Sequence, residues 1–194
     1  IHMYQKRNRE LDILALYLKG YTKQFYLREI SKLAKIPLKT TQNLISNLEK
    51  ERILKSIVRG KNKYFQLNLD NIQTKFYLLQ AEIRRTSLFI NKYPVFRTFL
   101  KEIKANNNII AFGSFAKFTA DKDSDLDLLI ISKKMQKLPS HLLPYKIHEI
   151  GLSEDSFIRS LEKQETLIKE IEENHVILNN HSFYVSIMWG YYGK

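Results

Sequence analysis

The sequence predicts an α+β chain of two domains, and three observations carry that prediction. Positive charge is concentrated at the front: residues 1–68 hold 15 Lys and Arg against 5 Asp and Glu, whereas residues 69–194 hold 17 against 15. The front third reads as helices followed by a β-hairpin, while the rest mixes short apolar strands with helices. A long helical stretch separates the two patterns. The boundaries that follow are 4–68 for the first domain, 69–105 for a helical linker carrying the first helix of the second domain, and 106–194 for the second domain.

Composition narrows the classes. Hydrophobic residues at 44% and charged residues at 27% of 194 residues suit two small cores. With no cysteine, disulfides and thiolate metal sites are excluded, and a cytoplasmic location is expected. The longest apolar runs, Ile109 to Phe112 and Leu126 to Ile131, are too short for a bilayer. No basic-then-apolar signal pattern opens the chain, and Ile1-His2-Met3 reads as a cloning remnant ending at an initiator. The net charge of +12, focused in one third, favours a polyanionic partner through counterion release. A basic, solvated face without a partner is the plain alternative.

The first helix is expected from Asn8 to Lys19, with apolar residues at 11, 14, 15 and 18 and Gly20 as its stop. A second runs from Leu27 to Ala34, with Leu27, Ile30, Leu33 and Ala34 inward. Pro37 suits the start of a third, Thr40 to Glu51, which buries Thr41, Leu44, Ile45 and Leu48. Two β-like runs, Leu54 to Val58 and Tyr64 to Leu67, flank the polar tip Arg59-Gly60-Lys61-Asn62-Lys63. This order, ending in LEKERILKSIVRGKNKYFQL, resembles a winged helix-turn-helix domain over roughly residues 8–68. The resemblance implies binding to double-stranded DNA. Lys39, Thr40, Gln42, Asn43 and Ser46 would face the major groove, and Arg59, Lys61 and Lys63 would meet backbone phosphate. A winged helix used only for protein interaction is the competing reading.

From Asp70 to Asn91 a helix is expected with Ile72, Phe76, Leu79, Ile83 and Phe89 as an apolar stripe, suited to core or homodimer packing. Pro94 interrupts it, and Val95 to Lys104 resumes as another helix.

The strand Ile109 to Phe112 ends in Gly113-Ser114, and after a polar loop Ser124-Asp125-Leu126-Asp127-Leu128-Leu129-Ile130-Ile131 forms a second strand. Residues two apart on a strand point the same way, so Asp125 and Asp127 would project together with Cα atoms ~6–7 Å apart. GSFAKFTADKDSDLDLLI resembles the signature of the polymerase-β-like nucleotidyltransferases, above all the minimal ones. That resemblance implies a small mixed sheet with flanking helices. It also implies Mg²⁺ (or Mn²⁺) on Asp125 and Asp127, and a nucleoside triphosphate such as ATP held at Gly113, Ser114, Lys117 and Ser124. The family usually has glycine where this chain has Phe118, and usually a third acidic residue on a neighbouring strand. Lys146 to Leu152 reads as that strand, with Glu149 the expected third catalytic and metal-binding residue and His148 on the opposite face by alternation.

A calcium loop fits DKDSDLD poorly, since that loop needs glycine at Leu126 and glutamate at Ser132. Asp121 and Asp123 suit turn or capping positions. The tail reads as a helix from Glu154 to about Glu173, a short run His175 to Leu178 and a last helix from His181. Phe183, Tyr184, Trp189, Tyr191 and Tyr192 would pack a core or a subunit contact. The expected function is transfer of a nucleoside monophosphate to a hydroxyl acceptor by a DNA-bound protein. The alternative is a transcription regulator that binds nucleotide without turnover. A separate protein partner, as minimal nucleotidyltransferases of toxin–antitoxin pairs have, stays open.

Overall fold

The computed structural model describes residues 9–103, 107–133 and 137–193. Residue 4, Asn8 and Lys104, expected as the ends of a domain and two helices, lie outside the described residues. The chain divides into two compact units, residues 1–81 with 188–194, and residues 82–187. One cut falls within the 69–105 segment expected as a linker; the other, between Ile187 and Met188, falls inside the 106–194 segment expected as the second domain.

In the first unit, residues 9–14 form helix α1, and Tyr17–Lys19 continue as a 3-10 turn ending at Gly20. The expected single helix therefore tightens over its last turn, which buries Tyr17 and Leu18. Helix α2 (Leu27–Ala34) ends in left-handed Lys35, and α3 (Leu38–Lys50) follows Pro37. The turn between them is knitted by Thr41, whose buried hydroxyl donates to the Ile36 and Pro37 carbonyls. Thr41, Leu44, Ile45 and Leu48 are buried as expected. Leu33, expected inward, is exposed. Strands β2 (Leu54–Arg59) and β3 (Asn62–Leu67) pair antiparallel out to Arg59↔Asn62, leaving Gly60-Lys61 as the tip. The short strand β1 (Phe25–Tyr26) adds to β3, giving the order β1-β3-β2.

Helix α4 (Ile72–Lys92) departs from its expected stripe: Ile72, Phe76 and Ile83 are exposed. Polar residues take part of the buried face instead, because each finds a partner. The Thr74 hydroxyl donates to the Asn68 carbonyl at 2.8 Å, and the Thr86 hydroxyl donates to the Ile177 carbonyl at 2.7 Å. Glu82 Oε1 lies 2.8 Å from His175 Nε2.

The second unit is built on a four-stranded mixed sheet of order β6-β5-β4-β7. Its strands are β4 (Asn108–Phe112), β5 (Leu126–Ile131), β6 (Ile147–Leu152) and β7 (Val176–Asn179). β4 runs antiparallel to β5 and to β7, while β5 and β6 are parallel. On β5 the alternate residues Leu126, Leu128 and Ile130 enter an aromatic-rich core with Phe89, Phe96 and Phe115. That core also takes Phe99 from α5 (Phe96–Glu102), and Phe115 and Ala116 from the single-turn helix α6 (Gly113–Ala116). The helix expected from Glu154 to Glu173 is two, α7 (Glu154–Glu162) and α8 (Thr166–Glu173). Gln164 adopts φ 52 between them, and the Glu165 N–H closes the turn on the Ser160 carbonyl. Helix α9 (His181–Tyr192) ends the described elements. Among the described residues no helix is long and apolar enough to cross a membrane.

Candidate functional site

Antiparallel pairing brings the end of β4 beside the start of β5, with Phe112 opposite Asp127. The chain then turns sharply at Gly113, whose φ of +64 is costly for any residue with a Cβ. The space also demands glycine: a Cβ at 113 would stand 2.3 Å from Asp127 Oδ2. The Asp127 carboxylate therefore lies directly against the turn at Gly113.

Asp125 and Asp127 converge on one imidazole. His148 Nε2 is 3.6 Å from Asp125 Oδ2, and His148 Nδ1 is 3.5 Å from Asp127 Oδ1. Lys146 Nζ lies 3.8 Å from the same Asp125 oxygen. Parallel register explains this, since Asp127 pairs with His148 and Leu128 with Glu149. Side chains of paired residues share a face, so His148 joins the carboxylates and Glu149 takes the opposite face of the outer strand, exposed. The assignment of Glu149 as third acidic residue, with His148 facing away, is thus corrected in its geometry: the two positions exchange faces.

The strand expected from Ser124 begins at Leu126, so Asp127 lies on β5 and Asp125 just before it; both carboxylates are hard oxygen donors that fit a divalent cation with open positions for phosphate and water. Among the described residues, no group of three or more His, Cys, Asp or Glu side chains is arranged to hold a metal. His148 gives one ring nitrogen to each carboxylate rather than turning one toward a shared centre.

The other expected nucleotide contacts divide. Ser114 is half-buried in α6 beside the turn. The Ser124 hydroxyl donates to Asp121 Oδ1 at 2.9 Å and accepts from the Asp121 N–H, so it is engaged in the loop. That hydroxyl, with the Asp123 N–H, holds the Asp121 carboxyl below its usual pKa. Asp121 is a turn-forming group here, not part of the carboxylate pair. Lys117 is exposed, with Nζ 3.5 Å from Glu170 Oε1. Phe118 adopts φ 60 and closes α6: its N–H bonds the Phe115 carbonyl and the Thr119 N–H bonds the Ser114 carbonyl. This is the left-handed end that glycine ordinarily supplies. The Phe118 ring packs edge-on to Phe89, centroids 6.2 Å apart.

The side chains expected to meet DNA are almost all exposed. Lys39, Gln42, Asn43 and Ser46 are exposed on α3, with Thr40 half-exposed, and Arg59, Lys61 and Lys63 are exposed on the hairpin. A cleft of about 730 Å³ lies between α3 and the hairpin, lined by Gln42, Ser46, Lys61 and Lys63. Sequence reasoning missed Arg28 and Tyr26, which also line it, because nothing in α2 marks its first turn as adjacent to the hairpin. Glu49 stands in the same cleft, its Oε1 3.0 Å from Lys63 Nζ.

No curated protein and no solved structure matches the chain. Residues 94–181 match the family model described as "Nucleotidyltransferase domain", a span that holds the Gly113 turn, both carboxylates and His148. The chain carries a nucleotidyltransferase-like domain.

Proposed function

We propose that the second unit transfers a nucleoside monophosphate from a nucleoside triphosphate to a hydroxyl acceptor, and that the first unit binds double-stranded DNA. The observation that carries the first half is the close seat of the Asp127 carboxylate against the Gly113 turn, with Asp125 beside it. Nucleotidyltransferase domains generally use a nucleoside triphosphate and a divalent metal. Asp125 and Asp127 would hold Mg²⁺ or Mn²⁺, which when bound offsets charge on the phosphates. The missing Cβ at 113 lets backbone approach the triphosphate, and Ser114 would offer its hydroxyl to a phosphate oxygen. The acceptor oxygen bonds to the α-phosphorus as the bond to the bridging oxygen breaks. Pyrophosphate leaves with that electron pair, and the hydroxyl proton is released to solvent.

A winged helix-turn-helix reading of the first unit is supported by the order α1, α2, α3 and a hairpin, and by the exposed basic and amide groups on α3 and β2–β3. The cleft between α3 and the hairpin suits a phosphodiester strand. Lys61 and Arg28 line it as cations, while Glu49 balances Lys63.

One observation favours a second reading, a regulator that binds nucleotide without transfer: the face beside Asp127 presents an imidazole where the family usually places a third carboxylate. Pyrophosphate release separates the two. With Mg²⁺, triphosphates and an acceptor extract, transfer predicts release that falls by roughly 10³-fold or more in Asp125→Asn and Asp127→Asn. Nucleotide binding without release in the unaltered chain supports the regulator, and neither binding nor release sinks both. Gel shifts across salt concentrations test the first unit, whose DNA binding is expected to weaken steeply with salt.

A further inference from the structure

Helix α6 is one turn long, too short to hold itself together, so its position is set from outside. Its carbonyls show how. Those of Gly113, Ser114 and Phe115 accept from the N–H groups of Lys117, Thr119 and Phe118. The Ala116 carbonyl accepts instead from Arg85 Nη2 at 2.9 Å, while Arg85 Nε donates to the His175 carbonyl at 2.6 Å. One guanidinium thus bridges the end of α6 to the residue preceding β7, and its central carbon lies 5.4 Å from the Phe118 ring centre. Two further residues on the same face of α4 complete the hold: the Phe89 ring meets Phe118, and Lys92 Nζ donates to the Phe118 carbonyl.

The opposite end of α6 is Gly113, ~4.5 Å away along the axis. There the tolerance is small, since the Asp127 carboxylate fills the space a Cβ would need. A displacement of Ala116 has no flexible segment in which to dissipate before it reaches the turn.

We propose that Arg85 is a positioning residue for the nucleotide site, holding the Gly113-Ser114 turn at its seat beside Asp127 through the Ala116 carbonyl. The proposal rests on the nucleotide-site reading above. Arg85 touches neither carboxylate by any described bond, so its effect falls on the triphosphate rather than on the metal. Lysine is a poor replacement, because one ammonium lacks the planar fork that serves two carbonyls at once.

The test uses the full chain with Arg85→Ala and Arg85→Lys. Each of the four ribonucleoside triphosphates is bound with Mg²⁺ in equilibrium dialysis, and Mn²⁺ is titrated without nucleotide. Triphosphate binding is expected to weaken about tenfold or more in Arg85→Ala, with Arg85→Lys between, while Mn²⁺ binding stays within about twofold. Methylguanidinium is expected to recover part of the lost affinity in Arg85→Ala and to leave the unaltered chain unchanged. Triphosphate affinity within about twofold of the unaltered chain, in either variant with native circular dichroism, overturns the proposal. So do equal losses of triphosphate and Mn²⁺ affinity, which mark a general structural role. If Arg85→Ala does not fold, Arg85→Lys decides. Failure of the unaltered chain to bind any triphosphate sinks the nucleotide-site reading and this inference with it.

Discussion

Gly60 and Gly113 have almost the same backbone conformation, φ +59 and +64, yet they stand in opposite kinds of surroundings. A Cβ at Gly60, on the hairpin tip of the first unit, would meet nothing within 4 Å. A Cβ at Gly113 would collide with the Asp127 carboxylate. The first glycine answers a demand of the turn alone, so its substitution carries only a backbone cost of ~1–2 kcal/mol. The second answers the turn and the packing of a functional group together. The difference extends to the two candidate surfaces. The first unit displays separate side chains on a stable scaffold, where losses should be graded. The second holds its groups in fixed contact, where losses should be abrupt.

The largest expected effect breaks the comparison if it is absent. Gly113→Ala should lower pyrophosphate release roughly 100-fold or more, since displacement of a reacting group by about 1 Å has that consequence, whereas Gly60→Ala should leave release unchanged. Equal behaviour of the two variants in that assay would erase the distinction. Next comes the exchanged pair on β6. His148→Ala is expected to change release about tenfold and Glu149→Ala by less than about twofold; the reverse order would mean that β6 pairs one residue out of step with β5.

Joint replacement of Arg59, Lys61 and Lys63 by alanine gives a graded effect. The dependence of log K for DNA on log salt should flatten by about 0.9 for each lost phosphate contact, and an unchanged slope would remove the hairpin from the interface. The smallest effect concerns pH. Burial lowers the pKa of His181 from its ordinary value, against the opposing field of Glu82. The unfolded chain therefore binds a proton more readily than the folded one, so stability is fully present above the unfolded pKa near 6.5 and is lost as pH falls through the lower folded value. Thermal melts from pH 7 to pH 5 should show a smaller decline in His181→Gln than in the unaltered chain.

Much of this was legible from residues alone, for identifiable reasons. Helix α2 has the bounds its periodicity predicts, Leu27 to Ala34, and the apolar run before Gly113 forms β4, whereas the strand expected from Ser124 begins only at Leu126 and leaves Asp125 just outside it. The α7–α8 break was not legible, because Gln164 takes a left-handed conformation that neither glycine nor asparagine announces. Periodicity marked Ile72, Phe76 and Ile83 for core or homodimer packing, whereas the buried face of the helix includes Thr74, Glu82 and Thr86. Apolar spacing cannot foresee that hydroxyls and a carboxylate will find internal partners. The parity of His148 and Glu149 was readable, but their faces were not: alternation separates two neighbours, and only strand register says which of them meets Asp127.

The pairing of Phe112 with Asp127 has a consequence for how the proposed transfer could diversify. The site is assembled across a rung of the ladder, so the turn over 121–124, whose side-chain bonds stay within itself, lies between fixed points and bears little of the site's geometry. Its length and composition can be rewritten, by natural insertion or by grafting a recognition segment, while Asp127 and the Gly113 turn keep their places. If the proposed transfer holds, a scaffold of this kind separates what is transferred from what receives it, and new acceptors could be acquired without rebuilding the centre.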